Sequence, residues 1–272
     1  MATMNSPIDM KVSFAHPNVR RIGVSDLREA LTKGLGDFRA MPTHSLFLIG
    51  IYPIVGLILL RLTFGYDLLP LVFPLVAGFA LLGPLAAFGL YELSRRREQV
   101  SSPSLASVPV SRSSQIWDIA GLGVVLLLIF FAWLAAAMAI YQNIFGGWTP
   151  ASFQEFARQV FTTSSGWRLI FTGCAVGFIF ALTAFTLSVV SFPMLVDRDV
   201  GLPEAVVTSI RTVVANPVTM ALWGLIVASG LLLGTLPFLL GLSVVLPVLG
   251  HSTWHLYRKV VQYQRAGEAL KS

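Results

Sequence analysis

The sequence predicts an all-α polytopic membrane helix bundle with six transmembrane helices, cytoplasmic interfacial helices and a parallel internal repeat. Three observations predict it. Of the 272 residues, 55% are hydrophobic and only 12% are charged, about half the charged fraction of an ordinary soluble domain. The charges are clustered, leaving long windows without Asp, Glu, Lys or Arg: 40–60, 68–91, 119–154, 169–196 and 212–257. Basic residues fall on alternate sides of those windows, as orientation in a bilayer requires.

Taken in order, residues 1–22 are polar and read as a disordered cytoplasmic N-terminus with no removable signal peptide. Residues 24–40 follow as an interfacial helix, because Leu27, Leu31, Leu35 and Phe38 recur at helical spacing. About 20 apolar residues cross a bilayer. Spans are therefore expected at about 44–64, 68–93, 117–141 and 167–194. Pro70 and Pro74 open the second span and could break it. A second interfacial helix is expected over 203–215. The window 212–257 is long enough for two helices, 217–233 and 236–257, folded back at Gly234-Thr235-Leu236-Pro237. The membrane domain thus runs over 23–258, and 259–272 is a cytoplasmic tail.

With the N-terminus inside, sixteen Lys and Arg lie on the cytoplasmic side, and only Arg61, Arg158 and Arg168 outside. This places both termini in the cytoplasm. It also accounts for the net charge of +6 without a nucleic-acid partner, since basic juxtamembrane segments face anionic lipid. The partners expected are the lipid bilayer and other membrane proteins. Cys174 is the only cysteine, which excludes an intrachain disulfide and a cysteine-built metal site.

Two stretches repeat at a constant offset. Glu29-Ala30-Leu31, Leu35, Phe38 and Pro42 match Glu204-Ala205-Val206, Ile210, Val213 and Pro217. Further on, Pro84, Tyr91, Leu93, Arg95 and Arg96 parallel Pro247, Trp254, Leu256, Arg258 and Lys259. Both copies begin on the same side, so the repeat is parallel. Inverted repeats around a midplane site are a common transporter design.

Several polar groups are candidates for chemistry. His251 and His255 are four apart on one helix face, the spacing of a haem or metal ligand pair. The alternative is inter-helix hydrogen bonding, and His44 and Glu92 could join His255 at the cytoplasmic edge. Asp197, Arg198, Asp199 and Glu204 form an acidic-basic turn. It reads either as paired carboxylates for acid-base work or as the start of a helix, with Asp199 or a neighbour satisfying backbone donors and Pro203 and Glu204 in the first turn. Asp118 reads as an end-of-helix anchor. Ser152-Phe153-Gln154-Glu155 has capping-box spacing ahead of a short amphipathic helix on the outer face. Gly173-x-x-x-Gly177 and Gly230-x-x-x-Gly234 allow close helix contact, internally or with a partner. The search for phosphate-loop, zinc-protease and nucleophile-elbow signatures finds none in this sequence, and the expectation is no catalytic activity of its own.

The run Ser191-Phe192-Pro193-Met194-Leu195-Val196-Asp197-Arg198-Asp199-Val200-Gly201, with Glu204-Ala205, Ser209 and Asn216-Pro217, resembles a bacterial family of predicted integral membrane proteins of unknown function. The resemblance extends to Arg21-Ile22, Phe38-Arg39-Ala40, Trp133 and Trp254-His255-Leu256-Tyr257-Arg258. Some members carry the label of cytochrome c oxidase subunit. It implies a multi-pass protein of the bacterial inner membrane, acting as a scaffold or accessory subunit beside a respiratory complex. Asp197, Arg198, Asp199, Glu204, Asn216, Pro217, Glu29 and Pro42 are then structural or partner-contact positions. A transporter or channel for a small or amphipathic solute, and an intramembrane haem protein, are the alternatives.

Overall fold

The computed structural model describes residues 17–41, 61, 69–101, 112–236 and 240–263. Among them the chain is helical almost throughout. Helix α1 covers Val24–Ala40. A 3-10 turn at Leu69–Leu71 leads into α2 (Val72–Phe79), a second 3-10 turn at Ala80–Leu82, α3 (Gly83–Ala86) and α4 (Phe88–Ser101). Then follow α5 (Arg112–Phe145), α6 (Phe153–Thr162), α7 (Ser164–Ser188), α8 (Ser191–Asp197), α9 (Leu202–Ala215), α10 (Pro217–Thr235) and α11 (Leu242–Val260). Two short strands, β1 (Asn18–Val19) and β2 (Val261–Gln262), pair antiparallel and tie the two ends of the described chain together.

Prolines decide where the long helices bend. A proline inside a helix lacks the N–H that would bond the carbonyl four residues back, and its ring crowds that carbonyl. Four residues before Pro193 is Val189, at the break between α7 and α8; four before Pro84 is Ala80, where the 3-10 turn opens. Pro74 does no such damage, because it lies in the first turn of α2, where no intrahelical N–H is needed. The second expected span is therefore segmented, at Ala80–Leu82 rather than at Pro70 and Pro74.

Among the described residues, four stretches are long and apolar enough to cross a membrane: Leu69–Val100, Gln115–Phe145, Ser164–Asp197 and Pro217–Thr235. The expected span 44–64, with Pro42 and His44, lies outside the described residues. The expected span 236–257 is not among the four. Its helix starts at Leu242, and from Leu249 to Tyr257 every residue is buried, including His251, Ser252, Thr253 and His255. That half of α11 is packed in protein on all sides rather than turned to lipid.

Packing is concentrated at one end. The buried core gathers Leu27 and Ala30 of α1, Leu90 and Tyr91 of α4, Ile119 and Leu122 of α5, Phe192, Met194 and Leu195 of α8, Ala205 of α9, Met220 and Trp223 of α10, and Trp254, Leu256 and Tyr257 of α11. Away from this cap, α5 exposes Val124, Leu128 and Phe131, α7 exposes Phe171, Phe178, Ile179 and Leu182, and α10 exposes Leu225, Leu232 and Leu233. Such stripes would each cost about 25 cal/mol per Å² in water; hydrocarbon is the solvent they fit. With 34 residues, α5 is about 51 Å long at 1.5 Å per residue, against roughly 30 Å of hydrocarbon. The surplus reaches into the cap.

The two helices expected at the interface, α1 and α9, do not pack as soluble amphipathic helices would. In α1 the buried stripe is Leu27, Ala30, Gly34 and Asp37, while Leu31, Leu35 and Phe38 are only partly covered. Small residues win this face because α11 comes very close: a Cβ on Gly34 would meet the Ser252 backbone nitrogen at 2.6 Å and its Cα at 2.7 Å. On the other flank of α11, a Cβ on Gly250 would meet Leu90 Cδ1 at 2.6 Å. Helix α11 is thus clamped between α1 and α4. The glycine pair on α10 is used in the same way, with Gly230 against Val245 and Leu249 and Gly234 against Leu242; on α7, Gly177 meets Trp133, while Gly173 has open space beside it.

Candidate functional site

Among the described residues, ionisable groups of α1, α4, α8 and α11 converge in the cap, and the sequence positions them there by helical spacing. Asp37 continues the α1 stripe Leu27, Ala30, Gly34 at intervals of three and four residues, so it faces α11. On α4, Ser94 and Glu98 share the face of Leu90 and Tyr91. On α11, His251, His255 and Arg258 lie one turn apart.

Asp37 is the hub. Its Oδ1 accepts from Arg97 Nη1 at 2.7 Å; its Oδ2 accepts from Ser94 Oγ at 2.6 Å and lies 2.8 Å from His255 Nε2. Ser94 has one proton and gives it to Asp37, so at 2.7 Å from His251 Nδ1 its oxygen must accept. This fixes His251 with a proton on Nδ1. His255 Nδ1 stands 3.4 Å from Glu98 Oε1. With an acceptor-only carboxylate at each ring nitrogen, His255 donates from both, as an imidazolium does. Glu98 passes the chain to Arg258 at 3.1 Å, and Arg258 to Asp197 at 3.2 Å. Asp197 also accepts from the Tyr257 hydroxyl at 2.7 Å and from Arg198 at 3.3 Å. Three carboxylates, Asp37, Glu98 and Asp197, so alternate with Arg97, His255 and Arg258 across α1, α4, α11 and α8.

Burial disfavours the charged form of Asp37, but the hydrogen bonds from His255 and Ser94 outweigh it and hold the carboxyl below the ordinary carboxylate range. A second, more exposed set joins the ends of α1 and α11: Lys259 reaches Glu29 at 2.6 Å and Asp26 at 3.3 Å, and Lys33 reaches Glu29 at 2.9 Å. Hydrogen bonds from Lys259 and Lys33 pull Glu29 down to about 2. Burial pushes the Tyr263 hydroxyl up to about 12, while its ring carries the Arg198 guanidinium 4.6 Å above the centroid.

The remaining sequence candidates are distributed as follows. Asn216 accepts from the Ile22 N–H at 2.8 Å and donates to the Arg20 and Thr212 carbonyls, both at 3.2 Å, holding the segment before α1 against the α9–α10 junction. Pro217 opens α10. At the start of α9 the donor Leu202 N–H is met at 3.2 Å by Asp118 of α5. Glu204 lies in the first turn of α9, in favourable register with the helix dipole. Glu92 turns to Arg95 and Arg96, both at 2.7 Å, on its own helix, rather than toward His255. On the opposite end, Ser152 accepts from Glu155 N at 3.2 Å as the cap of α6, and Glu155 accepts from Ala151 N–H at 3.0 Å.

In this structure the rings of the expected His251 and His255 ligand pair are engaged by other side chains. An axial ligand needs an imidazole lone pair aimed at iron, yet both nitrogens of His255 face carboxylates and Nδ1 of His251 carries the proton shared with Ser94. The His251 ring is itself only 1% exposed. Asp37, Ser94 and Glu98 were not singled out by motif. Their signal is positional: each is polar at a position whose helical register is otherwise buried.

Residues 72–197 match a family described as predicted integral membrane protein (DUF2189). The match covers α2 to α8 and so includes Ser94, Arg97, Glu98 and Asp197, but not α1 or α11. No curated protein and no solved structure matches the chain. With its several long apolar helices, the chain is an integral membrane protein.

Proposed function

We propose that the chain is a scaffold without catalytic activity of its own. It sits in the bacterial inner membrane, crosses it six times with both termini in the cytoplasm, and acts as an accessory to a respiratory complex of the cytochrome c oxidase type. The observation that carries the scaffold reading is the saturation of the cap network. Asp37 takes three donors, His255 is held at both nitrogens, and Asp197 takes three donors. Groups so engaged lock helices together; a reacting acid or base needs a face turned to substrate.

The finer points have their own support. The cytoplasmic orientation rests on the Lys and Arg gathered at the cap end. The repeat is supported by buried stripes that coincide at an offset of 175 residues: Ala30 with Ala205, Gly34 with Ser209, Asp37 with Thr212. The oxidase association rests on the family resemblance alone.

The test is purification from native membranes in mild detergent, with co-purifying chains identified and the absorption spectrum recorded. Oxidase subunits are expected to accompany the chain. Isolation free of them, under conditions that keep respiratory complexes whole, overturns the accessory role, and a Soret band reinstates a haem reading.

The segmented path Leu69–Ser101 favours one second reading, a transporter or channel for a small or amphipathic solute, because broken helices line many such routes. Single cysteines placed along Val72–Ala86 decide it: water access reaching the membrane midplane supports transport, and access from lipid alone removes it.

A further inference from the structure

Helix α9 is built inside out. Its buried stripe is Ala205, Thr208, Ser209 and Thr212, and each hydroxyl on it is satisfied by backbone. Thr208 donates to the Glu204 carbonyl at 2.8 Å and Thr212 to the Thr208 carbonyl at 2.9 Å. Ser209 donates to the Thr186 carbonyl at 2.7 Å and accepts from the Val190 N–H at 3.2 Å, two backbone groups at the α7–α8 break. The polar side is therefore dry and closed.

The opposite side carries Val207, Ile210 and Val214, all exposed. This strip does not end with the helix. It runs on past Asn216-Pro217 into Val218 of α10, where Val214 and Val218 are 72% and 80% exposed, and then to Leu225 on the lipid-facing side of α10. Arg211 borders the strip, exposed, with no hydrogen bond or ion pair among the described residues. Arg28 and Arg39 of α1 are exposed in the same way but lie off this strip, whereas Arg95, Arg96, Arg97, Arg198 and Arg258 are all engaged by carboxylates.

We propose that α9 lies at the boundary of headgroups and acyl chains in the cap-side leaflet, with Val207, Ile210 and Val214 in acyl chains and Arg211 binding the phosphate of an anionic phospholipid. Continuity with the lipid-facing surface of α10 selects the bilayer as occupant. The free guanidinium selects phosphate, to which its planar fork presents two parallel donors. The inference rests on the reading that α7 and α10 cross a bilayer, and it is independent of the total span count.

The experiment uses the full chain with Cys174→Ala and single spin-labelled cysteines, reconstituted into phosphatidylcholine vesicles with and without phosphatidylglycerol. Labels at Val207→Cys, Ile210→Cys and Val214→Cys are expected to collide with oxygen and to be shielded from an aqueous nickel chelate, like a label at Phe178→Cys on α7. A label at Thr32→Cys on the exposed side of α1 should be open to nickel. Nickel access at the α9 positions overturns the proposal, as does protection from both reagents, which marks a protein partner, or a second copy if the labels also broaden one another. If Phe178→Cys itself reads as aqueous, the membrane reading fails with it. Arg211→Gln should lower the phosphatidylglycerol retained per chain about five-fold, the ratio corresponding to ~1 kcal/mol per basic residue at an anionic surface, and Arg211→Lys should keep part of it. Unchanged retention in Arg211→Gln overturns the phosphate assignment.

Discussion

His255 Nε2 lies 2.8 Å from Asp37 Oδ2, a contact between residues 218 positions apart that joins α11 to α1. Asp37 is 6% exposed, so its charge is stabilised by its donors and not by water. Asp37→Ala leaves Arg97, Ser94 and His255 facing a vacancy. The expected loss is about 3–5 kcal/mol, the cost of removing one partner of a buried pair, seen as a lowered midpoint of thermal unfolding in detergent. A midpoint within error of the parent would show that the network contributes nothing.

The same carboxyl predicts an acid limit. Its folded value is depressed, so its contribution is complete above the unfolded aspartate pKa, about 3.9, and is lost as pH falls through the lower folded value. Thermal midpoints recorded from pH 6 downward should drop below about pH 4 in the parent, and Asp37→Asn should lack that part of the drop.

Two glycines of α1 separate a packing requirement from a helix propensity. Gly34→Ala drives a methyl into Ser252 and should cost about 1–3 kcal/mol through displacement of α1 from α11. Gly36→Ala meets nothing within 4 Å and should stabilise by up to ~1 kcal/mol. Equal effects in a denaturation series of the two variants would refute the close crossing.

Asn216→Ala removes the acceptor for Ile22 N–H and the donor to Arg20 and Thr212. The expected cost is about 1–3 kcal/mol. Limited proteolysis should then cut faster near residues 20–23, where the segment before α1 loses its anchor.

Ser209→Ala strips the α7–α8 break of the hydroxyl that serves Val190 N–H and Thr186 C=O. Two unsatisfied backbone groups at a buried site should cost about 1–3 kcal/mol each. Amide exchange at Val190 and Ser191 should accelerate before global unfolding does.

The apolar windows were legible because crossing a bilayer is a local demand: some 20 consecutive residues either are apolar or are not. Helix termini at Gly201-Leu202-Pro203 and Asn216-Pro217 are likewise local, since proline and capping chemistry act within one turn. The candidate site was legible only as residue types. His255 and Asp197 stood out in the sequence, but Asp37 did not, because its meaning depends on which face of α1 meets α11. Glu92 looked like a partner for His255 and instead pairs with Arg95 and Arg96, three and four residues along its own helix, where no chain has to be brought together.

Composition and spacing by themselves determined that this is a helical membrane protein whose charges cluster between long apolar windows. The tertiary structure alone decided that charges from α1, α4, α8 and α11 meet in a packed cap, that α1 and α9 turn small and polar stripes inward, and that His251 and His255 serve Ser94, Asp37 and Glu98. The reason is physical. Solvent preference is a property of a segment, whereas the value of a buried polar group is set by a partner that may lie two hundred residues away.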